Sequence, residues 1–159
     1  MTISVGQVAP LFSLFDTTKT KINLSDFRER NVLLLFFPLA FTSTCTKELC
    51  SVRDNITLYN DANAEVLGIS ADSPYSLRKY KEEQSLNFTL LSDFNRSASL
   101  AYDSLYPVFS MEMQNVPKRA AFVIDREGII RYAEVLENAN EVPDFEAIEK
   151  ILLVLTEGK

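Results

Sequence analysis

The sequence has no histidine. Catalysis by a Ser-His-Asp or Cys-His set within one chain is therefore excluded, and so is metal ligation by imidazole. There are only two cysteines, too few to close a four-ligand zinc site. The four glycines form neither a phosphate-binding loop nor a dinucleotide fingerprint. Apolar runs fall far short of the ~18 residues that a membrane-spanning helix requires. Lysine and arginine are nowhere clustered, and the formal net charge is −6, which argues against nucleic acid or an anionic membrane as partner. The opening stretch MTISVGQVAP carries neither a basic region nor an apolar signal core, so a cytoplasmic location is expected.

What remains is an ordinary globular composition. Of 159 residues, 47% are hydrophobic and 24% charged, enough for one domain over residues 1–159 with its own core. The segment PLFSLFDTTKTKINLSDF reads as two short strands about the polar turn 16–21, an N-terminal hairpin, with Ser25-Asp26 capping a brief helical turn. Six apolar residues, Val32 to Phe37, predict a strand covered on both faces, stopped by Pro38. A helix is expected from Thr44 to about Asn60, with Cys45, Leu49, Val52, Ile56 and Tyr59 on one face. AEVLGIS reads as a buried strand, and Ser73-Pro74 as a helix start leading to about Gln84. FTLLSD is a further strand, 97–105 a short helix, and 106–118 irregular. AAFVID and IIRYAEV pair about the turn 126–128, and a helix over 144–155 closes the chain. Strands alternating with helices predict an α/β fold, a central mixed sheet with helices on both faces.

The chemistry concentrates in FFPLAFTSTCTKELC, which holds both thiols. Cys45 falls in the first turn of a helix leaving the carboxyl end of a buried strand, the edge where sites of open α/β sheets collect. Unpaired amides at a helix start favour a thiolate, so Cys45 is a candidate nucleophile toward a small electrophile, or else a small core residue. Cys50 lies five positions on, beside Arg53, Asp54 and Thr57. Five helical residues advance ~7.5 Å and turn ~140°, so the Cα atoms stand roughly 8–9 Å apart, beyond the reach of a disulfide. A bridge would require the first turns to unwind.

The spacing Pro38-x-x-x-Thr42-x-x-Cys45 resembles the active-site signature of the peroxiredoxins. VGQVAPLFSLFD, VLLLFFPLAFTSTCTKEL, AEVLGISADSP, LLSD and VPKRAAFVIDREGIIRY resemble family landmarks along nearly the whole chain. The resemblance implies a thioredoxin-like fold and a thiol-dependent peroxidase without metal or organic cofactor. It implies Cys45 as the peroxidatic nucleophile, oxidised to a sulfenic acid, and Arg119 beside it, favouring the thiolate and polarising the peroxide. Thr42 would hydrogen-bond the peroxide, Pro38 would shield the thiolate, the amides of the Ser43–Cys45 turn would donate to the bound oxygens, and Glu48 would orient the arginine. Without the motif, Arg119 reads as a solvated charge at a strand edge.

Two subgroups are in view. The Cys45-x4-Cys50 spacing resembles the peroxiredoxin Q (bacterioferritin comigratory protein) group, in which the second cysteine resolves the sulfenic acid as an intramolecular disulfide. FPLAFTSTCTKEL is more similar to the alkyl hydroperoxide reductase E group, and TSTC and YDSLYP stand where the Q group usually has TPGC and a Tyr-Gly pair. The resemblance further implies peroxide as substrate, thioredoxin or another small thiol as reductant, and a homodimer as one arrangement. Phe41, Tyr102, Tyr106 and Phe109 would line its interface or pack the core. The alternative from another class is a peroxide-sensing redox switch acting through a partner.

Overall fold

The computed structural model describes residues 3–157; the first two residues of MTISVGQVAP and the last two of the 1–159 domain lie outside them. The apolar run of the sequence forms strand β3, Asn31–Phe36, with all six residues buried. It follows two short strands, β1 (Ser13–Asp16) and β2 (Lys21–Asn23), which pair antiparallel as the expected hairpin. Asp16 holds the turn between them, its Oδ1 accepting from the Thr18 and Thr20 amides. A 3-10 turn, Leu24–Phe27, is boxed by Asn23 and Asp26.

The segment after β3 departs from expectation. The single helix expected to run to Asn60 is two, α1 (Ser43–Asp54) and α2 (Ile56–Asp61), separated at Asn55. The Asn55 side chain donates to the Ser51 carbonyl and its backbone leaves the helical region, an asparagine competing locally with the helix ladder. The inward face survives the break: Cys45, Leu49, Val52 and Tyr59 are all buried in one cluster.

Strand β4 (Ala64–Ser70) follows, then helix α3 (Pro74–Glu83), whose Ser73 cap accepts from the Ser76 amide. Strand β5 (Thr89–Ser92) leads to a short helix α4, Ser97–Ala101, which ends well before the expected 105. Asp93 accounts for its start, since both carboxylate oxygens accept from the Ala98 and Ser99 amides. The stretch expected to be irregular is instead a ribbon of β6 (Leu105–Val108) and β7 (Gln114–Pro117). Pro107 and Pro117 mask it in the sequence; a two-stranded ribbon has only edges, where proline is tolerated. β8 (Arg119–Ile124), β9 (Ile130–Leu136) and helix α5 (Phe145–Glu157) complete the chain. At the β8–β9 turn Gly128 takes φ +84, a region open to glycine.

The sheet order is β2-β1-β5-β4-β3-β8-β9. β3, β4 and β5 run parallel; β1 joins antiparallel on one side, β8 and β9 on the other. The mixed α/β sheet is covered on both faces. Leu33, Leu35, Leu77, Tyr80, Ile148 and Leu152 join α1, α2, α3 and α5 to one face. Leu34, Phe36, Phe122, Ala98 and Tyr102 join α4 and the N-terminal segment to the other.

The four aromatic residues read as one cluster are dispersed. Tyr102 is fully buried among Phe12, Phe36 and Phe122, its hydroxyl donating to the Pro10 carbonyl. Tyr106 and Phe109 stack on each other in the ribbon, and Phe41 packs on Tyr80. Among the described residues no helix is long and apolar enough to cross a membrane.

Candidate active site

The carboxyl end of β3 runs through buried Phe37 and Pro38 into a tight loop, Leu39 to Thr42. Phe41 takes φ 67 there, an uncommon conformation for a large side chain. Thr42 sits at the cap position of α1, yet its hydroxyl does not cap the helix; it donates to the Leu39 carbonyl at 2.7 Å. The first helical bond runs from the Thr46 amide to the Thr42 carbonyl. The amides of Ser43, Thr44 and Cys45 precede it and so form the unpaired, partially positive start of α1.

Cys45 is a free thiol in this first turn, 1% exposed. Glu48, three positions on and therefore on the same helix face, is equally buried. From the opposite side comes Arg119, the first residue of β8, also 1% exposed. The solvated strand-edge charge read for it without the motif is thus overturned. β8 lies against β3, with Phe36 opposite Ala120, and this pairing carries residue 119 to the level of the loop after β3.

Arg119 Nη1 donates to Glu48 Oε1 at 2.7 Å. Its Nε and Nη2 donate to the Ala139 carbonyl, at 3.3 and 2.8 Å. A guanidinium has five N–H groups, so one on each terminal nitrogen remains uncommitted by these bonds. Burial opposes the Arg119 charge, but Glu48 and the Cys45 sulfur outweigh it and hold its pKa above the ordinary arginine value. Burial has the upper hand at Glu48. Despite Arg119, its carboxyl is pushed up to about 7, with Glu134 adding repulsion, and its Oε2 has no hydrogen-bond partner among the described residues.

Tyr80 of α3 ties the helix start to the core. Its ring is fully buried and its hydroxyl shares a 2.8 Å hydrogen bond with Thr46. Burial raises the phenol to about 12, so it stays protonated through the physiological range. Cys50 lies one turn and a half beyond Cys45, half-buried, its thiol facing Gln84 Oε1 at 3.5 Å. Arg53 donates to the Gln84 carbonyl at 2.6 Å. Both cysteines are free and separated within an intact helix. Among the described residues no three acidic or cysteine side chains gather as metal ligands.

The structure thus brings Cys45, Glu48 and Arg119 together, with Thr42 and Pro38 on the adjoining loop and Cys50 apart. The sequence did not point to the Ala139 carbonyl, since a backbone group has no signature, nor to Tyr80 as a partner of the helix start.

The fold is thioredoxin-like, that of solved peroxiredoxins. The crystal structure of Peroxidoxin BcpB from Mycobacterium tuberculosis superposes with a TM-score of 0.81 at 27% identity, over 98% of this chain and 97% of that one. Residues 5–133 match the AhpC/TSA family, to which this chain belongs. Peroxiredoxin Bcp of Escherichia coli strain K12 is 37% identical over 131 residues, 82% of this chain and 84% of that protein. Alkyl hydroperoxide reductase E of Mycobacterium bovis is 36% identical over 155 residues, 97% of this chain and 99% of that protein. Both subgroups read in the sequence are represented among these relatives.

Proposed function

We infer that the chain is a thiol-dependent peroxidase in which Cys45 is the nucleophile. The buried Glu48–Arg119 pair beside Cys45 carries this reading. A fixed guanidinium and the amides at the start of α1 turn positive charge toward the sulfur, and the same donors stabilise charge that develops on peroxide oxygens. The Cys45 thiolate attacks one oxygen of ROOH, the O–O bond breaks, and the sulfur is oxidised to sulfenic acid. The departing oxygen takes a proton and leaves as ROH, or as water from hydrogen peroxide.

Each neighbour has a role set by its hydrogen bonds. Glu48 and the Ala139 carbonyl hold three N–H groups of Arg119 and aim the remaining two toward the sulfur and the peroxide. The Thr42 hydroxyl spends its proton on Leu39, so its lone pairs accept the peroxide O–H. Pro38, buried at the end of β3, keeps water from the sulfur. Leu39 and Phe41 make the loop apolar, suited to organic hydroperoxides as well as hydrogen peroxide.

A second thiol then condenses with the sulfenic acid, releasing water and forming a disulfide, which a small dithiol such as thioredoxin reduces. Cys50 is the internal candidate after α1 unwinds; an external thiol serves otherwise. One domain working in the cytoplasm, as monomer or homodimer, accommodates either route. The sensor reading finds no support among relatives named as peroxiredoxins and reductases.

The test is steady-state peroxide consumption with several thiol reductants. Turnover should vanish in Cys45→Ser and fall at least about a hundredfold in Arg119→Ala. Full activity in Cys45→Ser would refute the assignment.

A further inference from the structure

The ADSP stretch between β4 and α3 does more than start a helix. Asp72 Oδ2 accepts the Ala40 amide at 2.8 Å and the Ser70 hydroxyl at 2.7 Å. The Asp72 amide in turn donates to Ser70 Oγ, and the Ser92 hydroxyl donates to the Asp72 carbonyl at 2.6 Å. Ser70 is fully buried, Ser92 nearly so, and Asp72 partly. Three adjacent parallel strands, β3, β4 and β5, are thereby tied together at their carboxyl ends through Asp72, the first two by its carboxylate and β5 by its backbone carbonyl.

We propose that Asp72 is a positioning residue for peroxide, its carboxylate fixing the Ala40 amide and with it the Pro38–Thr42 loop over Cys45. This rests on the peroxidase reading above. The loop needs an anchor because Phe41 holds φ 67, and such a conformation persists only where its surroundings over-determine it. A carboxylate accepting a backbone N–H makes one of the stronger hydrogen bonds available, and the Ser70 hydroxyl keeps it aimed. On that reading the loop carries the Thr42 hydroxyl, which accepts the peroxide O–H, and Pro38, which shields the sulfur. Cys45 and Arg119 stand on α1 and β8, which have their own anchors in Leu49, Val52 and the β3–β8 ladder. Asp72 therefore governs how peroxide is held rather than how reactive the sulfur is. Small displacements of a positioning group are enough to slow a reaction greatly.

Two reactions of Cys45 separate these roles. Peroxide oxidation needs the loop; alkylation by iodoacetamide, followed against pH, reads the thiolate alone. In Asp72→Ala, oxidation by peroxide should slow about tenfold or more, while alkylation rates stay within about twofold and their pH midpoint does not move. Asp72→Asn, which keeps an acceptor oxygen, should recover part of the rate, and Ser70→Ala should show a smaller loss. Should Asp72→Ala fail to fold, these two variants carry the same comparison, with circular dichroism confirming their structure. Unchanged peroxide rates, or equal losses in both reactions, would overturn the assignment. A wild-type Cys45 that is alkylated but ignores peroxide would instead sink the peroxidase reading, and the Asp72 role with it.

Discussion

Glu48 and Arg119, 71 positions apart, meet at 2.7 Å with neither side chain more than 2% exposed. Such a pair is costly to desolvate and more costly to break, because removing one partner strands the other.

The Glu48 carboxyl titrates from an ordinary value of 4.5 when unfolded to about 7 when folded. Between those values the folded state holds a proton that the unfolded state has released. Stability therefore falls as pH rises through this window, by roughly 3 kcal/mol, and the effect levels off above about 7. Glu48→Gln should lack this slope. Urea unfolding of both proteins at several values from pH 4.5 to 8 measures the difference; parallel curves would contradict it.

Arg119→Leu leaves Glu48 buried without its cation, so the carboxyl should protonate at still higher pH. We expect a loss of about 3–5 kcal/mol at pH 8 and a smaller one at pH 6, where the carboxyl is neutral. Adding Glu48→Gln should restore part of the stability. A double mutant as unstable as the sum of its parts would show that the two residues are not energetically coupled.

Cys50 should form a disulfide with Cys45 only when α1 opens. Mass spectrometry of the monomer after one equivalent of peroxide should find both thiol hydrogens lost and the two cysteines linked, with helical circular dichroism reduced. Gln84→Ala removes the acceptor that holds the Cys50 thiol and should speed bridging severalfold. Sulfenic or sulfinic Cys45 beside a free Cys50 would assign resolution to an external thiol.

Gly68 lies within β4, opposite Leu35 on β3 and Leu90 on β5. A Cβ there would come within 2.8 Å of a Leu90 methyl and 3.5 Å of the Phe37 and Phe88 rings. Gly68→Ala should overpack this face and cost about 1–3 kcal/mol in urea unfolding. A neutral or stabilising effect would mean that Leu90 changes rotamer freely.

The apolar run of β3, the inward stripe of α1 and the Ser73-Pro74 start of α3 were legible because local chemistry fixes them: burial pattern, helical period and capping. The place of Cys45 in a first helical turn was legible because a strand end and the helix start after it are contiguous in the chain; Thr42 entered only through the resemblance to the peroxiredoxins. The β6–β7 ribbon was hidden by its prolines, and the break at Asn55 by an apolar period that continues across it.

The sequence alone settled the class of fold and which sulfur stands at the head of a helix, since both follow from patterns within a few residues. Only the tertiary structure decided what surrounds that sulfur. The burial of Arg119, the Ala139 carbonyl that orients it and the Asp72 hold on Ala40 join segments distant in the chain. No local period or propensity encodes them, because their energies arise only when strands pair and water is excluded.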